Sequence, residues 1–255
     1  MYTIPNQPFV RRGDPLNKGL VGCWLMQEPN GPNTRDISGR GNHATLVPEG
    51  EDGPTRVMTE MGRGIDCVHA NESYLATPML MNPTLPGSFF LWIRWNDISF
   101  NQNSGCMVTG NRLYLGLYSA SFWAGCGSVN TDSGATKATL GTWYHFGLTW
   151  NGSYATCWLD GSLIFGFAYT SAGLITNSLH IGNINGSAGL ESTATFTSAT
   201  IYSRVLAPAE IRRLAGLDGD PWLQWRPMPK RRDDDFYGPP INNDIGDSAF
   251  LGSVV

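Results

Sequence analysis

The sequence predicts an all-β fold: a two-sheet antiparallel β-sandwich of jelly-roll type, with one short C-terminal helix and extended terminal arms. Three observations carry this. Strand-sized apolar runs recur at short intervals with turn residues between them. Glycine numbers 31 and proline 16 among 255 residues, and aromatics make up 11%, a mixture that favours strands and turns. Only one segment has helical periodicity, and strands do not alternate with helices, which argues against a parallel α/β sheet.

The runs that read as strands are 19–26, 44–47, 63–68, 73–77, 88–95, 106–110, 112–119, 121–126, 143–150, 153–160, 162–168, 179–184 and 194–203. Asn151-Gly152 and Asp160-Gly161 join three of them into a meander over 143–168. Both dipeptides suit the positive φ angles of a type I′ hairpin turn. Several runs are apolar on both parities. Such strands bury one face in the core and have the other partly covered.

Residues 207–217 form the helical segment. Pro208 suits its first turn, Glu210 its positive end and Arg212 and Arg213 the opposite end. Ile211, Leu214 and Leu217 form the apolar stripe, and Gly216 or Gly219 can end the helix. From 218 onward Pro, Gly and Asp dominate without periodicity. The predicted organisation is therefore an N-terminal arm at 1–18, a sandwich at 19–217 and a C-terminal extended arm at 218–255.

Composition narrows the function classes. Charged residues are 15% and hydrophobic ones 41%, with a net charge of −4, which is too apolar and too weakly charged for a disordered chain. The balance lacks the basic footprint of a nucleic-acid binder. No apolar run approaches the ~20 residues of a membrane-spanning helix. The opening residues have no apolar signal-peptide core, so a product made in a cytoplasm and kept there, or released by lysis, is expected.

Cys23, Cys67, Cys106, Cys126 and Cys157 lie in apolar, strand-like stretches without CxxC spacing, and read as buried reduced thiols rather than a zinc site. The sequons at Asn71, Asn151 and Asn185 fall in turn-rich segments, where they match by composition.

Four segments, in order, resemble the LamG-like jelly roll of the concanavalin A-like lectin/glucanase superfamily. Residues 19–47 carry an apolar-Gly-x-Trp strand followed by D-x-S-G-x-G-N at 36–42. Residues 64–78 give a strand, a turn and a Tyr-containing strand ending at Pro78. Residues 141–164 are similar to the family's W-x-H hairpin, and residues 179–211 to its closing strands and terminal helix. The resemblance implies a lectin-like sandwich.

It also implies where chemistry could sit. The loop of Asp36 and Asn42 is a candidate calcium site, because calcium takes hard oxygen ligands. In the family this loop can pair with acidic residues in the closing strand, but here Thr197 and Ser198 stand there. A structural turn held by Asp36 is the competing reading. The superfamily's glucanases need two carboxylates on one strand face. The strand carboxylates Asp66, Asp97 and Asp160 are isolated, and His43, His69, His145 and His180 have no nucleophile at diagnostic spacing. No catalytic residue is assigned, and the chain is not expected to be an enzyme. His145, in the matched W-x-H position, reads as structural.

Glycan sites stack sugars on aromatic rings with amides and carboxylates at the rim. Tyr118 and Trp123 flank an expected Ser-Ala-Ser turn, and Asn130 and Asp132 are expected in the next loop. These four are the candidate glycan site, against a core role for Trp123.

The tail resembles the short basic tail that follows LamG-like domains in tailed-phage proteins. Trp222, Trp225, Arg226, Lys230, Arg231 and Arg232 are its candidate partner-docking residues, since Trp and Arg are favoured at binding hot spots. The expectation is a non-catalytic phage virion module, as head decoration, tail or fibre component. It would join other virion proteins or copies of itself through the arms and bind host-surface glycans. A carbohydrate-binding module of a cell-surface or secreted protein is the alternative, and a glycoside hydrolase comes last. Neither nucleic acid nor membrane is an expected partner.

Overall fold

The computed structural model describes residues 9–10, 13–47, 53–68, 73–98, 104–109, 113–127, 129–170, 178–182, 193–218 and 223–224. The chain forms two compact units, Pro8–Gln224 and a second made of Met1–Gln7 with Trp225–Val255. The second lies outside the described residues.

In chain order the elements are β1 (Phe9–Val10), a 3-10 turn (Pro15–Asn17), β2 (Leu20–Trp24), β3 (Asn33–Thr34), β4 (Ala44–Val47), β5 (Thr55–Thr59), β6 (Gly62–Cys67), β7 (Tyr74–Leu80), β8 (Gly87–Trp95), β9 (Ser104–Thr109), β10 (Leu113–Tyr118), β11 (Ser121–Cys126), β12 (Val129–Lys137), β13 (Trp143–Trp150), β14 (Tyr154–Leu159), β15 (Ser162–Ala168), β16 (Ser178–Ile181), β17 (Ala194–Tyr202), α1 (Pro208–Leu214) and β18 (Leu223–Gln224). One sheet runs β12-β11-β10-β9-β16-β7-β4-β3. The other runs β15-β14-β13-β8-β17-β6-β5, with β2 also paired to β17. Among the described residues every pairing is antiparallel. Each apolar run identified from the sequence overlaps a strand. The sequence signal misses β1, β3, β5, β12 and β18, which are very short or polar.

The core lies between the sheets. Phe89, Leu91, Ile93 and Trp95 of β8 face Leu113, Leu115, Leu117 and Phe122 of the opposite sheet. A register shift in β17 between Phe196 and Ser198 lets Phe196, Ala199 and Ile201 all join this core. Strict alternation would have put Phe196 on the opposite face from the other two.

The doubly apolar strands find their second cover as expected. Phe90, Trp158 and Tyr202 pack in a separate cluster with Leu16, Leu20, Leu206, Ile211 and Leu214. Leu217 is exposed instead, because the helix ends at Leu214 and Gly216 takes a φ of +73°. Residues 13–18, assigned to the N-terminal arm by composition, are tied to this cover. Asp14 accepts two hydrogen bonds from Arg213, at 2.8 and 2.6 Å, and one from the Leu16 amide. Beyond them, β1 pairs with β18, Phe9 opposite Gln224 and Val10 opposite Leu223.

The meander over 143–168 is present. Its second turn has positive φ at both Asp160 and Gly161, as a type I′ turn requires. The first turn differs from the sequence expectation. Asn151 and Tyr154 close it, Asn151 N–H donating to the Tyr154 carbonyl, and only Gly152 has positive φ. Glycine at the first central position fits a type II′ turn. Asn151 instead caps the turn, its Oδ1 accepting from the amides of Ser153 and Tyr154.

Candidate functional site

The candidate site is built on the β10–β11 hairpin. Its two-residue turn is Ser119-Ala120, with Tyr118 paired to Ser121. Both turn residues have positive φ, +48° and +62°, a conformation that costs about 1–2 kcal/mol for a residue with a Cβ. Strand β12 holds the turn. Lys137 Nζ donates to the Ser119 carbonyl and to Ser121 Oγ, and the Ala138 amide donates to the Ala120 carbonyl.

Strand alternation then sets the faces. Leu113, Leu115 and Leu117 of β10, and Phe122, Ala124 and Cys126 of β11, point into the core. Tyr114, Tyr118 and Trp123 therefore point outward. Tyr114 lies across its register partner Gly125, where a Cβ would sit 1.9 Å from the ring. Trp123 packs against Tyr114 in a tilted arrangement, with ring centroids 4.1 Å apart and the planes 30° from parallel. The Tyr114 hydroxyl is hydrogen-bonded to Asn130, and burial pushes its pKa up to about 12, so it stays protonated.

Asn130, Thr131 and Asp132 complete an open recess of about 480 Å³ with Tyr118 and Trp123. All four glycan-site residues expected from the sequence thus meet in one place. Two details are corrected. Asn130 and Asp132 stand on β12 rather than in a loop, because pairing with β11 along the sheet edge outweighs their poor strand propensity. Trp123 is only 8% exposed, whereas Tyr118 is 47% exposed. Tyr118 is the ring available for stacking. Sequence reading missed Tyr114, Thr131 and Gly125. Period-two spacing from Tyr118 places Tyr114 on the same face and could have found it.

A second recess of about 690 Å³ lies over the loop at 36–42, lined by Glu28, Asn33, Arg35, Asp36, Gly39, Gly41 and His43. The buried Asp36 carboxylate is fully engaged there. Oδ1 accepts from the amides of Cys23 and Ser38, and Oδ2 from Ser38 Oγ and the Asn42 amide. The Asn42 side-chain amide donates to the Val21 carbonyl. A calcium ion needs several oxygens with free lone pairs, and Asp36 could ligate only by losing these donors. No group of three or more His, Cys, Asp or Glu side chains able to hold a metal occurs among the described residues. The donor set of Asp36 and Asn42 does not fit calcium and fits a loop-closing knot.

Two of the three carboxylates considered for catalysis are also engaged. Asp66 accepts from Asn96 and Thr195, and Asp160 accepts from the His145 amide. Burial raises the pKa of both. His145 is buried against Phe90 and Trp92, and desolvation lowers its pKa to about 3, so it is neutral. Cys23, Cys67, Cys126 and Cys157 are buried and outside any disulfide. The side chain of Cys106 lies outside the described residues. So do the docking residues Trp222, Trp225, Arg226, Lys230, Arg231 and Arg232.

Residues 69–212 match the laminin G-like family described as concanavalin A-like lectin/glucanases superfamily. The chain belongs to this superfamily. The match covers the hairpin and closing-strand motifs, and β2 of the opening motif is paired to β17 of the same sandwich. No curated protein sequence matches the chain.

Among solved structures, the superfamily sandwich is similar to the binding domain of Paraclostridial Mosquitocidal Protein 1, with a TM-score of 0.62 and 16% identity, over 78% of this chain and 52% of that one. It is similar to domain 4 of AbnA, an extracellular GH43 arabinanase from Geobacillus stearothermophilus in complex with arabinotriose (TM-score 0.58, 14% identity, 77% of this chain and 98% of that one). Trypanosoma rangeli sialidase in complex with sialic acid is a third (TM-score 0.59, 18% identity, 77% and 32%). The chain thus spans about half of the first and a third of the last. At these identities the likeness is one of fold.

Proposed function

We propose that this superfamily member is a glycan-binding module without catalytic activity. The observation that carries the reading is the recess between β10, β11 and β12. An exposed tyrosine ring, a carboxamide, a hydroxyl and a carboxylate border one opening there. A pyranose has an apolar face that stacks on a ring and hydroxyls that meet such a rim. The structure of the similar arabinanase domain with arabinotriose supports sugar as the ligand class. Among the described strands, none carries two carboxylates, which supports binding without glycosidic cleavage.

The setting we propose is a phage virion. The module would serve as head decoration, tail or fibre component, present its recess to host-surface glycans and join other virion proteins or copies of itself through the arms. The tail resemblance supports this, as does the pairing of β1 with β18, which joins residues 9–10 to residues 223–224. Single-site sugar affinity is weak, and repeated display on a particle would multiply it.

A glycan array probed with the full chain tests the binding reading, with Tyr118→Ala as the matched control. Bound glycans that Tyr118→Ala fails to bind support it; an empty array overturns it. Light scattering tests the setting. An oligomer that becomes monomeric on deletion of 225–255 supports the arms as assembly elements. A full chain that is monomeric and binds sugar favours a carbohydrate-binding module of a cell-surface or secreted protein.

A further inference from the structure

The recess has an unbalanced charge. Its lining contains two aromatic rings, Asn130, Thr131 and the Asp132 carboxylate, with no basic side chain. Asp132 is fixed in place, Oδ1 accepting the Gly134 amide at 2.6 Å. That leaves Oδ2 without a hydrogen-bond partner among the described residues. Lys137, further along the same strand, is committed to the Ser119 carbonyl and Ser121 Oγ and holds the turn rather than neutralising the recess.

A carboxylate beside aromatic rings attracts a compact cation on two counts. The ring faces are electron-rich, and a charge-assisted hydrogen bond to the free oxygen is about twice as strong as a neutral one. The same arrangement repels a carboxylated ligand. Resting on the glycan-binding reading above, we propose that the recess selects sugars bearing a free amino group, cationic hexosamines, over their N-acetylated forms and over acidic sugars. The ring of such a sugar stacks on Tyr118 while its ammonium donates to Asp132 Oδ2. Asn130 and Thr131 meet the neighbouring hydroxyls.

Isothermal titration of the full chain tests this with three ligands: a glucosamine hexamer, its N-acetylated counterpart and an oligouronate of equal length. The glucosamine hexamer binds about tenfold more tightly than the acetylated one, the increment of one charge-assisted hydrogen bond. The oligouronate does not bind. Asp132→Asn keeps the oxygen that accepts the Gly134 amide and removes the charge, so the two hexamer affinities converge. Tyr118→Ala abolishes binding of the glucosamine hexamer, which separates the recess from non-specific attraction to an acidic protein. Equal affinities, a preference for the oligouronate, or a preference that survives either substitution overturns the inference. Binding of neutral hexoses on an array without binding of the glucosamine hexamer overturns this inference alone. Failure to bind any glycan overturns the glycan-binding reading with it.

Discussion

The ring of Tyr114 occupies the space that a side chain on Gly125 would fill. The two are register partners on β10 and β11, and a Cβ on Gly125 would lie 1.9 Å from Tyr114 Cζ and 2.3 Å from its hydroxyl oxygen. Trp123 packs against the ring so placed, and Asn130 bonds its hydroxyl. The glycine therefore sets the height of the aromatic bed beside the recess. Gly125→Ala should push Tyr114 away, costing about 1–3 kcal/mol of stability by overpacking. Glycan affinity should fall at least tenfold while the sandwich still folds. Titration with a bound glycan, together with a denaturant melt, reads both effects.

The turn beside the recess stores backbone strain. Ala120 has a φ of +62° and no side-chain bond to offset it. Ala120→Gly should raise stability by about 1 kcal/mol, since glycine adopts this conformation without steric cost. Chemical denaturation of the two proteins measures the difference. A loss of stability would mean that the alanine methyl packs in a way that outweighs the backbone.

Asp36 closes the loop at 36–42 by accepting four hydrogen bonds while almost wholly buried. Asp36→Ala leaves buried donors unpaired and should destabilise the fold by about 3 kcal/mol. Millimolar calcium should leave the melting temperature of the native chain unchanged, because the carboxylate has no lone pairs to spare. A thermal melt with calcium or chelator checks this directly. A rise in melting temperature with calcium would contradict the knot.

How much of this was legible in the sequence differs from residue to residue. The sandwich was legible because long runs such as β8 and β13 are apolar beyond what one face needs, and Asp160-Gly161 fixes a hairpin. Strand β12 was not legible. Its Asn130, Asp132, Ser133 and Gly134 disfavour strands, and only pairing with β11 makes them one. Four of the five residues lining the candidate recess could be named because aromatic and polar rim residues cluster in 118–132. Their unequal roles could not. Trp123 is buried with Tyr114 packed against it, and Tyr114 can lie there because a glycine stands opposite on the neighbouring strand. That relation joins positions eleven apart through sheet register, which no local pattern reveals. Likewise, the sequence marked Asp36 as important, but only the four donors around it distinguish a knot from a metal ligand.

The buried imidazole of His145 makes a signed prediction. Desolvation holds its folded pKa at about 3, below the ordinary 6.5. The unfolded chain therefore binds a proton between these values that the folded chain does not, and acid favours unfolding there. Stability should be fully present above about pH 6.5 and fall by ~1 kcal/mol per pH unit on the way towards pH 3. His145→Gln should lack this part of the slope, whatever its absolute stability. Denaturant melts across pH 4–7 for both proteins supply the comparison. Parallel slopes would show that His145 is not the group responsible.

The most direct test of the central claim replaces the exposed ring alone. Tyr118 is half exposed, so Tyr118→Ala should change stability by no more than about 0.5 kcal/mol. Trp123→Ala, which removes a buried side chain, should cost about 3–5 kcal/mol and is the poorer probe. The wild-type chain on a glycan array is expected to bind a defined set of sugars. Tyr118→Ala, equally folded, is expected to lose that binding by tenfold or more. Undiminished binding by Tyr118→Ala, or no binding by the wild type, would contradict the assignment of this recess.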